Sequence, residues 1–413
     1  MWIDDSNNAF CVLPWIHTYN GPDGRATPCC IASKPLMNES GTALNIQTHT
    51  LDNIFNSSAY QEIRNRMLSG EQVEHCTTCY NQEETGYSSR QYLNNLWLRG
   101  SYQYLDLNNK ITTAKSSPVF GKPLSTDIRF GNLCNLRCQI CNPLNSSQLE
   151  RDAVVSIWNN VPYSRSSERF GGMEWYNAPT LLDEVIEFGS ELLEIKLGGG
   201  EPTINTAVFS WLESLIASGQ SKSISLTIST NFTNTNDRFY ELIPNFKITN
   251  LMLSIDGFGK LNDYLRFPSK WESIERNTKT IRKLIELHQN IRVSITPVIS
   301  AYNALSIVEL FEWAEEQGFR ILAYEVRGVP QIDCNVLPIE ARCIAANRMR
   351  NFMEKSVANT KNDTINSMCA KLEMPDEATT IQFHEFTNAV DINRGLRFDE
   401  YCSEAAAFLR IEN

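Results

Sequence analysis

Residues 129–143 read RFGNLCNLRCQICNP and place three cysteines, Cys134, Cys138 and Cys141, at the spacing C-x3-C-x2-C. One loop with this spacing can wrap three thiolates round a small inorganic cluster. Structural zinc wants four ligands, and the nearest histidines in sequence, His75 and His288, stand far from the loop. A four-iron cluster has four corners, so three cysteines hold three irons and leave the last able to bind something else. A closed cluster stores electrons, whereas an open iron can do chemistry. Zinc, or three unrelated thiols, is the alternative reading.

The stretch LGGGEPT, residues 197–203, is the second feature. Consecutive glycines let a ligand approach the backbone and expose successive N–H and C=O groups. Glu201 adds an acceptor suited to an ammonium. A solvated glycine turn is the plain alternative.

Both stretches need a scaffold, and residues 124–330 supply one. Six short apolar runs read as buried parallel strands: 126–131, 192–197, 223–229, 251–255, 291–299 and 320–326. Amphipathic stretches lie between them. Trp271, Ile274, Ile281, Leu284, Ile285 and His288 share a helical face, as do Leu305, Val308, Phe311 and Trp313, with Gly318 placed to cap that second helix. Repeated strand–helix–strand units imply right-handed crossovers and a parallel sheet whose strand C-termini form the working rim. The expected fold class is α/β, an open or partial (β/α)6 barrel. The cysteine loop follows the first strand, and the glycine turn follows the second. Residues 1–123 form a cysteine-rich N-terminal module that ends in a polar linker, and residues 331–413 form a helical C-terminal region.

With those two stretches in place, residues 124–330 resemble the radical S-adenosylmethionine (SAM) enzymes. The resemblance implies that Cys134, Cys138 and Cys141 bind a [4Fe–4S] cluster whose fourth iron chelates the amino and carboxylate groups of SAM. It implies that Gly199, Gly200 and Glu201 contact the methionine amine. Reductive cleavage of the sulfonium then yields methionine and a 5′-deoxyadenosyl radical that abstracts a hydrogen atom from substrate. SIDGFGKLNDYLR, residues 254–266, resembles a stretch of the peptide-modifying branch. Ser254 and Asp256 would suit the ribose or substrate, and Arg266 would suit a carboxylate. Thr230 and Asn231 end the third strand on the same rim. Solvated loops or helix caps are the alternative for these five. The family often has an aromatic before the third cysteine, where this chain has Ile140, so adenine packing there is aliphatic or comes from elsewhere.

The chain has 12 cysteines, and five lie before residue 80. Cys11, Gly24, Cys29 and the pair Cys76-x2-Cys79 resemble the auxiliary-cluster module called twitch, a short relative of SPASM. That implies a second, fully ligated [4Fe–4S] cluster, with a zinc ribbon as the alternative and Cys30 able to replace Cys29. In the best-known enzymes this module follows the barrel, whereas here it precedes it. His17 and His75 are expected to support the ligands or to be exposed. Cys334, Cys343, Cys369 and Cys402 read as small buried hydrophobes, with Cys334 near enough to the rim to be considered as a hydrogen-atom donor.

The net charge of −11 opposes a general nucleic-acid or anionic-membrane binder. No signal peptide and no run of about 18 apolar residues is read, so the expected location is the cytoplasm. The substrate is expected to be a small molecule or a short peptide, oxidised or epimerised. Glu325 and Arg327 are candidate substrate contacts, and a flavodoxin or ferredoxin is the expected electron donor. No leader-binding domain is read before the barrel, which leans away from a ribosomal-peptide maturase. That maturase and a non-catalytic iron–sulfur or zinc scaffold are the competing functions.

Overall fold

The computed structural model describes residues 7–84, 89–113, 121–158, 173–177, 185–187, 189–326, 329–356, 363–375 and 378–409. They divide into two compact units. One takes the described residues of 1–131, 170–198 and 206–226, and the other those of 132–169, 199–205 and 227–413.

In the first unit the strand order is β2-β1-β3-β4. Strands β1 (His17–Asn20) and β2 (Ala26–Thr27) form an antiparallel hairpin. Its turn needs Gly24: φ is +78°, and a Cβ there would stand 2.6 Å from Asn45 Oδ1. β1 then runs parallel to β3 (Ser125–Arg129), which runs parallel to β4 (Glu194–Gly198). The register sets His17 opposite Ser125, and Tyr19 opposite Asp127, which in turn faces Lys196. These residues therefore share one polar face with Arg129. Arg129 grips Asp127 with both ends of its fork, at 2.7 Å and 2.9 Å. The other face buries Ile128, Ile195 and Leu197.

The sequence left residues 1–123 with few elements. The structure adds β1, whose HTYN carries no apolar run, and the helices Ser58–Leu68 and Thr77–Glu84. Ser57 caps the first of these by accepting from the Tyr60 N–H.

Strand β5 (Ser225–Thr230) starts in the first unit, where the Ser225 N–H donates to the Leu193 carbonyl at 2.8 Å. It continues into the second unit. There the order is β5-β6-β7-β9, with β6 at Ile248–Leu253, β7 at Ile291–Ile295 and β9 at Arg320–Ile321. The run 291–299, read as one strand, is two: β7 and β8 (Val298–Ile299). The run 320–326 is likewise β9 and β10 (Tyr324–Glu325), and β10 pairs in parallel with β8 as a separate ribbon. Pro297 is the physical reason for the first break, since it has no N–H for the ladder. Beside it, the Val298 N–H turns to the Asp256 carboxylate at 2.8 Å.

The expected helices form at Trp271–Leu287 and Ile307–Glu316. The second stops at Gly318, whose φ is +73° and whose N–H returns to the Glu315 carbonyl. The C-terminal region is helical: Ile339–Lys355, Asp363–Leu372, Ile381–Arg394, Phe398–Tyr401 and Ser403–Leu409. Tyr302 anchors it, packing against Tyr264, Phe383 and Phe398. Among the described residues no helix is long and apolar enough to cross a membrane.

Arg342 ties this region together from within. It is fully buried and donates to the carbonyls of Leu337, Leu372 and Met374, at 3.1, 3.3 and 2.7 Å. Arg342→Met orphans three acceptors while removing a buried charge, so we expect a net loss of about 2 kcal/mol, measured by urea unfolding of the full chain.

Candidate functional site

The loop after β3 carries the three thiols, and its backbone is held from both sides. The Arg137 and Gln139 N–H groups donate to the carbonyls of Phe267 and Leu265 at 2.6 and 2.8 Å. Ser146 Oγ donates to the Leu136 carbonyl at 2.8 Å, and Trp158 Nε1 donates to the Cys141 carbonyl at 2.8 Å. Cys134 and Cys138 are buried, and Cys141 packs beside them with Ile140. Burial raises the proton affinity of all three, and the Cys138 sulfur raises that of both others; Cys141 is pushed up to about 12. The thiols thus lie close enough to sense one another. Among the described residues no three His, Cys, Asp or Glu side chains converge as a single metal ion requires, whereas a cluster takes its thiolates on separate irons.

Gly199 and Gly200 turn the chain after β4 with φ of +76° and +57°. The turn lies on the cysteine loop: the Glu201 N–H donates to the Leu133 carbonyl at 2.7 Å. A Cβ on Gly200 would stand 2.2 Å from that same oxygen. Glu201 was expected to face an ammonium. Its buried carboxylate instead accepts from the Thr203 N–H and Oγ1, from Thr230 Oγ1 and from the Asn231 N–H, at 3.0, 2.7, 2.7 and 2.6 Å. Three of those donors meet Oε1 and one, the Asn231 N–H, meets Oε2, so the carboxylate ties its own turn to the end of β5.

Thr230 and Asn231 act in this network. Asn231 Nδ2 donates to Asn135 Oδ1 at 2.8 Å, and Asn135 Nδ2 donates to Thr233 Oγ1 at 2.9 Å. This links the end of β5 to the cysteine loop. Phe232, buried with φ +59°, is a left-handed non-glycine residue at this corner. Sequence reasoning missed Thr203, Asn135 and Phe232. Only their adjacency to the motifs could have flagged them.

Ser254 follows β6, half-buried, with its N–H on the Thr230 carbonyl. Asp256 and Arg266, expected at the ribose or substrate and at a carboxylate, lie in contact with each other. Asp256 is fully buried, Arg266 Nε lies 2.5 Å from its carboxylate, and Arg266 Nη1 lies 3.8 Å from Cys138 Sγ. The two side chains thus pair with each other beside the cysteine loop. Glu325 pairs with Lys371 of the helix Asp363–Leu372, at 2.8 Å. Arg327 lies outside the described residues. Cys334 is buried, with its thiol pushed up to about 12 by burial, and is packed as a small hydrophobe.

In the first unit the early cysteines gather. Cys11 senses Cys76 and Cys79, and Cys29 senses Cys76 and Cys11. Burial raises Cys11, Cys29 and Cys76, the last to about 12. Cys30 is exposed and is sensed by Tyr19 and Arg129 as well as by Cys29. Arg90 lies beside the group, donating to the Phe10 carbonyl at 3.0 Å, with its guanidinium 4.5 Å from the centre of the Tyr80 ring. His75 is half-buried, with Nε2 3.4 Å from the Pro35 carbonyl. His17 is buried in β1 with Nδ1 2.9 Å from Ser125 Oγ, and burial lowers its pKa to about 4.

The fold and these two thiol sets define a radical SAM domain preceded by an iron–sulfur module. Residues 128–314 match the radical SAM superfamily model, and residues 11–80 match the SPASM model, an iron–sulfur cluster-binding domain. The chain thus contains a radical SAM domain and a SPASM-type iron–sulfur module, domains whose cofactors are SAM, a [4Fe–4S] cluster and auxiliary iron–sulfur. The SPASM match favours iron–sulfur over the zinc ribbon. The crystal structure of Streptococcus suis SuiB bound to precursor peptide SuiA is 17% identical, with a TM-score of 0.37, over 65% of this chain and 57% of that one. Native anSMEcpe with bound AdoMet is 16% identical, with a TM-score of 0.42, over 57% of this chain and 62% of that one. The chain spans about six tenths of the length of these structures. Comparison with curated proteins finds no match.

Two predictions follow from this geometry. Gly200→Ala combines a left-handed backbone, about 1–3 kcal/mol for a residue with a side chain, with a clash on the cysteine loop. We expect iron content and SAM affinity both to fall, by metal analysis and equilibrium binding. His17 stays neutral in the fold down to about pH 4, whereas in the unfolded chain it takes a proton near pH 6.5. Stability is therefore lost as pH falls from 6.5 toward 4, by up to about 3 kcal/mol. His17→Phe should flatten that part of the urea midpoint against pH.

Proposed function

We propose that this chain cleaves SAM reductively at a [4Fe–4S] cluster held by Cys134, Cys138 and Cys141, and that it oxidises a small-molecule or short-peptide substrate after hydrogen-atom abstraction. The observation that carries this reading is the clasp between the cysteine loop and the Gly199–Gly200 turn, made by the Glu201 N–H on the Leu133 carbonyl. It brings three thiols and an open backbone turn to one place. When bound, the reduced cluster and SAM supply a 5′-deoxyadenosyl radical, and a second cluster supplies an electron acceptor. The chain's part is to hold them, orient them and exclude water.

Cys11, Cys29, Cys76 and Cys79 are the thiols we assign to the auxiliary cluster, with Cys29 preferred over Cys30 because it senses Cys11 and Cys76 while Cys30 is exposed. Four protein thiols close that site, which favours electron acceptance and so oxidation over epimerisation. The burial of Cys334 inside the fold leans the same way, since a hydrogen-atom donor must reach the substrate. We assign Gly199 and Gly200 to the methionine amine and Ser254 to the ribose or substrate. Glu201, Thr230 and Asn231 hold the turn. A flavodoxin or ferredoxin is the proposed electron source.

The test is anaerobic incubation of the reconstituted chain with SAM and dithionite. We expect 5′-deoxyadenosine from the wild type and none from Cys138→Ala. Iron should approach about eight per chain, and about four in Cys76→Ala/Cys79→Ala, given four per cluster. A cluster-replete wild type that leaves SAM intact would favour a scaffold.

A further inference from the structure

Arg394 is the last residue of the helix Ile381–Arg394 and is only 8% exposed. None of Nε, Nη1 and Nη2 has a hydrogen-bond partner. A buried guanidinium without acceptors is strongly destabilising, and the fold offers it little. Its Cζ lies 5.5 Å from the Phe267 ring. The opposite charge it senses most is Asp152, yet no hydrogen bond joins them. Asp152 Oδ1 accepts from Asn393 Nδ2 at 2.6 Å, and Oδ2, 3.6 Å from Arg137 Nη1, is likewise without a hydrogen-bond partner. The next group that Arg394 senses is the sulfur of Cys138.

The helix that carries it is pinned. Asp391 accepts from Tyr264 Oη at 2.9 Å and from the Phe398 N–H at 2.6 Å. Thr387 bonds Tyr302 Oη at 2.8 Å, and Gly395 ends the helix with φ +64°. The guanidinium is thus aimed rather than adrift. Arg266 already directs Nη1 to the Cys138 sulfur, and Arg394 lies within electrostatic range of the same sulfur.

We propose that Arg394 is a positioning residue for the iron–sulfur cluster, donating N–H···S hydrogen bonds to its Cys138 edge from the C-terminal helices and raising its reduction potential. The proposal rests on the reading that Cys134, Cys138 and Cys141 hold that cluster. The cluster is an anion whose sulfurs accept hydrogen bonds, and such bonds set its potential. A nearby positive charge favours the reduced, more negative form.

The experiment compares wild type with Arg394→Met and Arg394→Lys by potentiometric titration, following the EPR signal that responds to SAM. For Arg394→Met we expect the reduced-to-oxidised ratio at fixed poise to fall about tenfold, which is about 59 mV for a one-electron couple. Arg394→Lys should recover part of it. Before reconstitution, the full-length Arg394→Met chain should melt no lower than wild type, because it loses only an unpartnered charge. A lower melting point or failure to fold would make Arg394 structural and overturn the proposal. So would an unchanged midpoint in the loaded variant, or an unchanged midpoint with weakened SAM binding, which would move the acceptor to the cosubstrate carboxylate. A wild type with no SAM-responsive signal would remove the functional reading itself. A wild-type signal with an indifferent Arg394→Met would remove this proposal alone.

Discussion

The Glu201 carboxylate is the constraint from which the candidate site is built. It is buried, and burial raises its pKa against four donors that favour the charged form. Those donors come from its own turn and from the end of β5, so one side chain fixes two segments that meet only in the fold. Its backbone N–H fixes a third, the cysteine loop, through the Leu133 carbonyl. Three of its donors share Oε1 and the fourth meets Oε2. What it positions is the pair of left-handed glycines before it, of which Gly200 lies so near the Leu133 carbonyl that a Cβ there would clash.

The thiols pose the opposite electrostatic problem. Burial and their mutual proximity favour the neutral thiol form. A cluster needs thiolates, so loading must release protons, and affinity must fall as pH falls. Cations near the sulfurs ease that cost. Arg266 serves Cys138, and Arg90 lowers the proton affinity of Cys11 and Cys76. Each thiol set therefore has a buried guanidinium beside it, and each guanidinium is itself tied down, by Asp256 and by Glu83.

Legibility in the sequence followed locality. The cysteine loop and the glycine turn are short, contiguous patterns, and both stand where they were expected, one after β3 and one after β4. β4 to β7 were readable because apolar residues recur along each at the two-residue period of a strand with one buried face. β1 was not, because HTYN is polar; its strand character comes from pairing with β3 more than a hundred residues away, with His17 opposite Ser125. The break at 291–299 also depends on a tertiary partner, since the Asp256 carboxylate takes the Val298 N–H that follows Pro297.

The side-chain roles were harder to read than the positions, and Asp256 and Arg266 show why. Sequence assigns such residues by what each could bind alone: an acid for a hydroxyl, a guanidinium for a carboxylate. Folding puts the two in contact, and in a buried place each is the other's best partner, because either one alone would be an uncompensated charge. The same rule separates Arg266 from Arg394. Both are buried near Cys138, but only Arg266 has a carboxylate at contact distance. A buried polar group whose partner is within the chain explains itself. One whose partner is missing points to what the chain was built to hold.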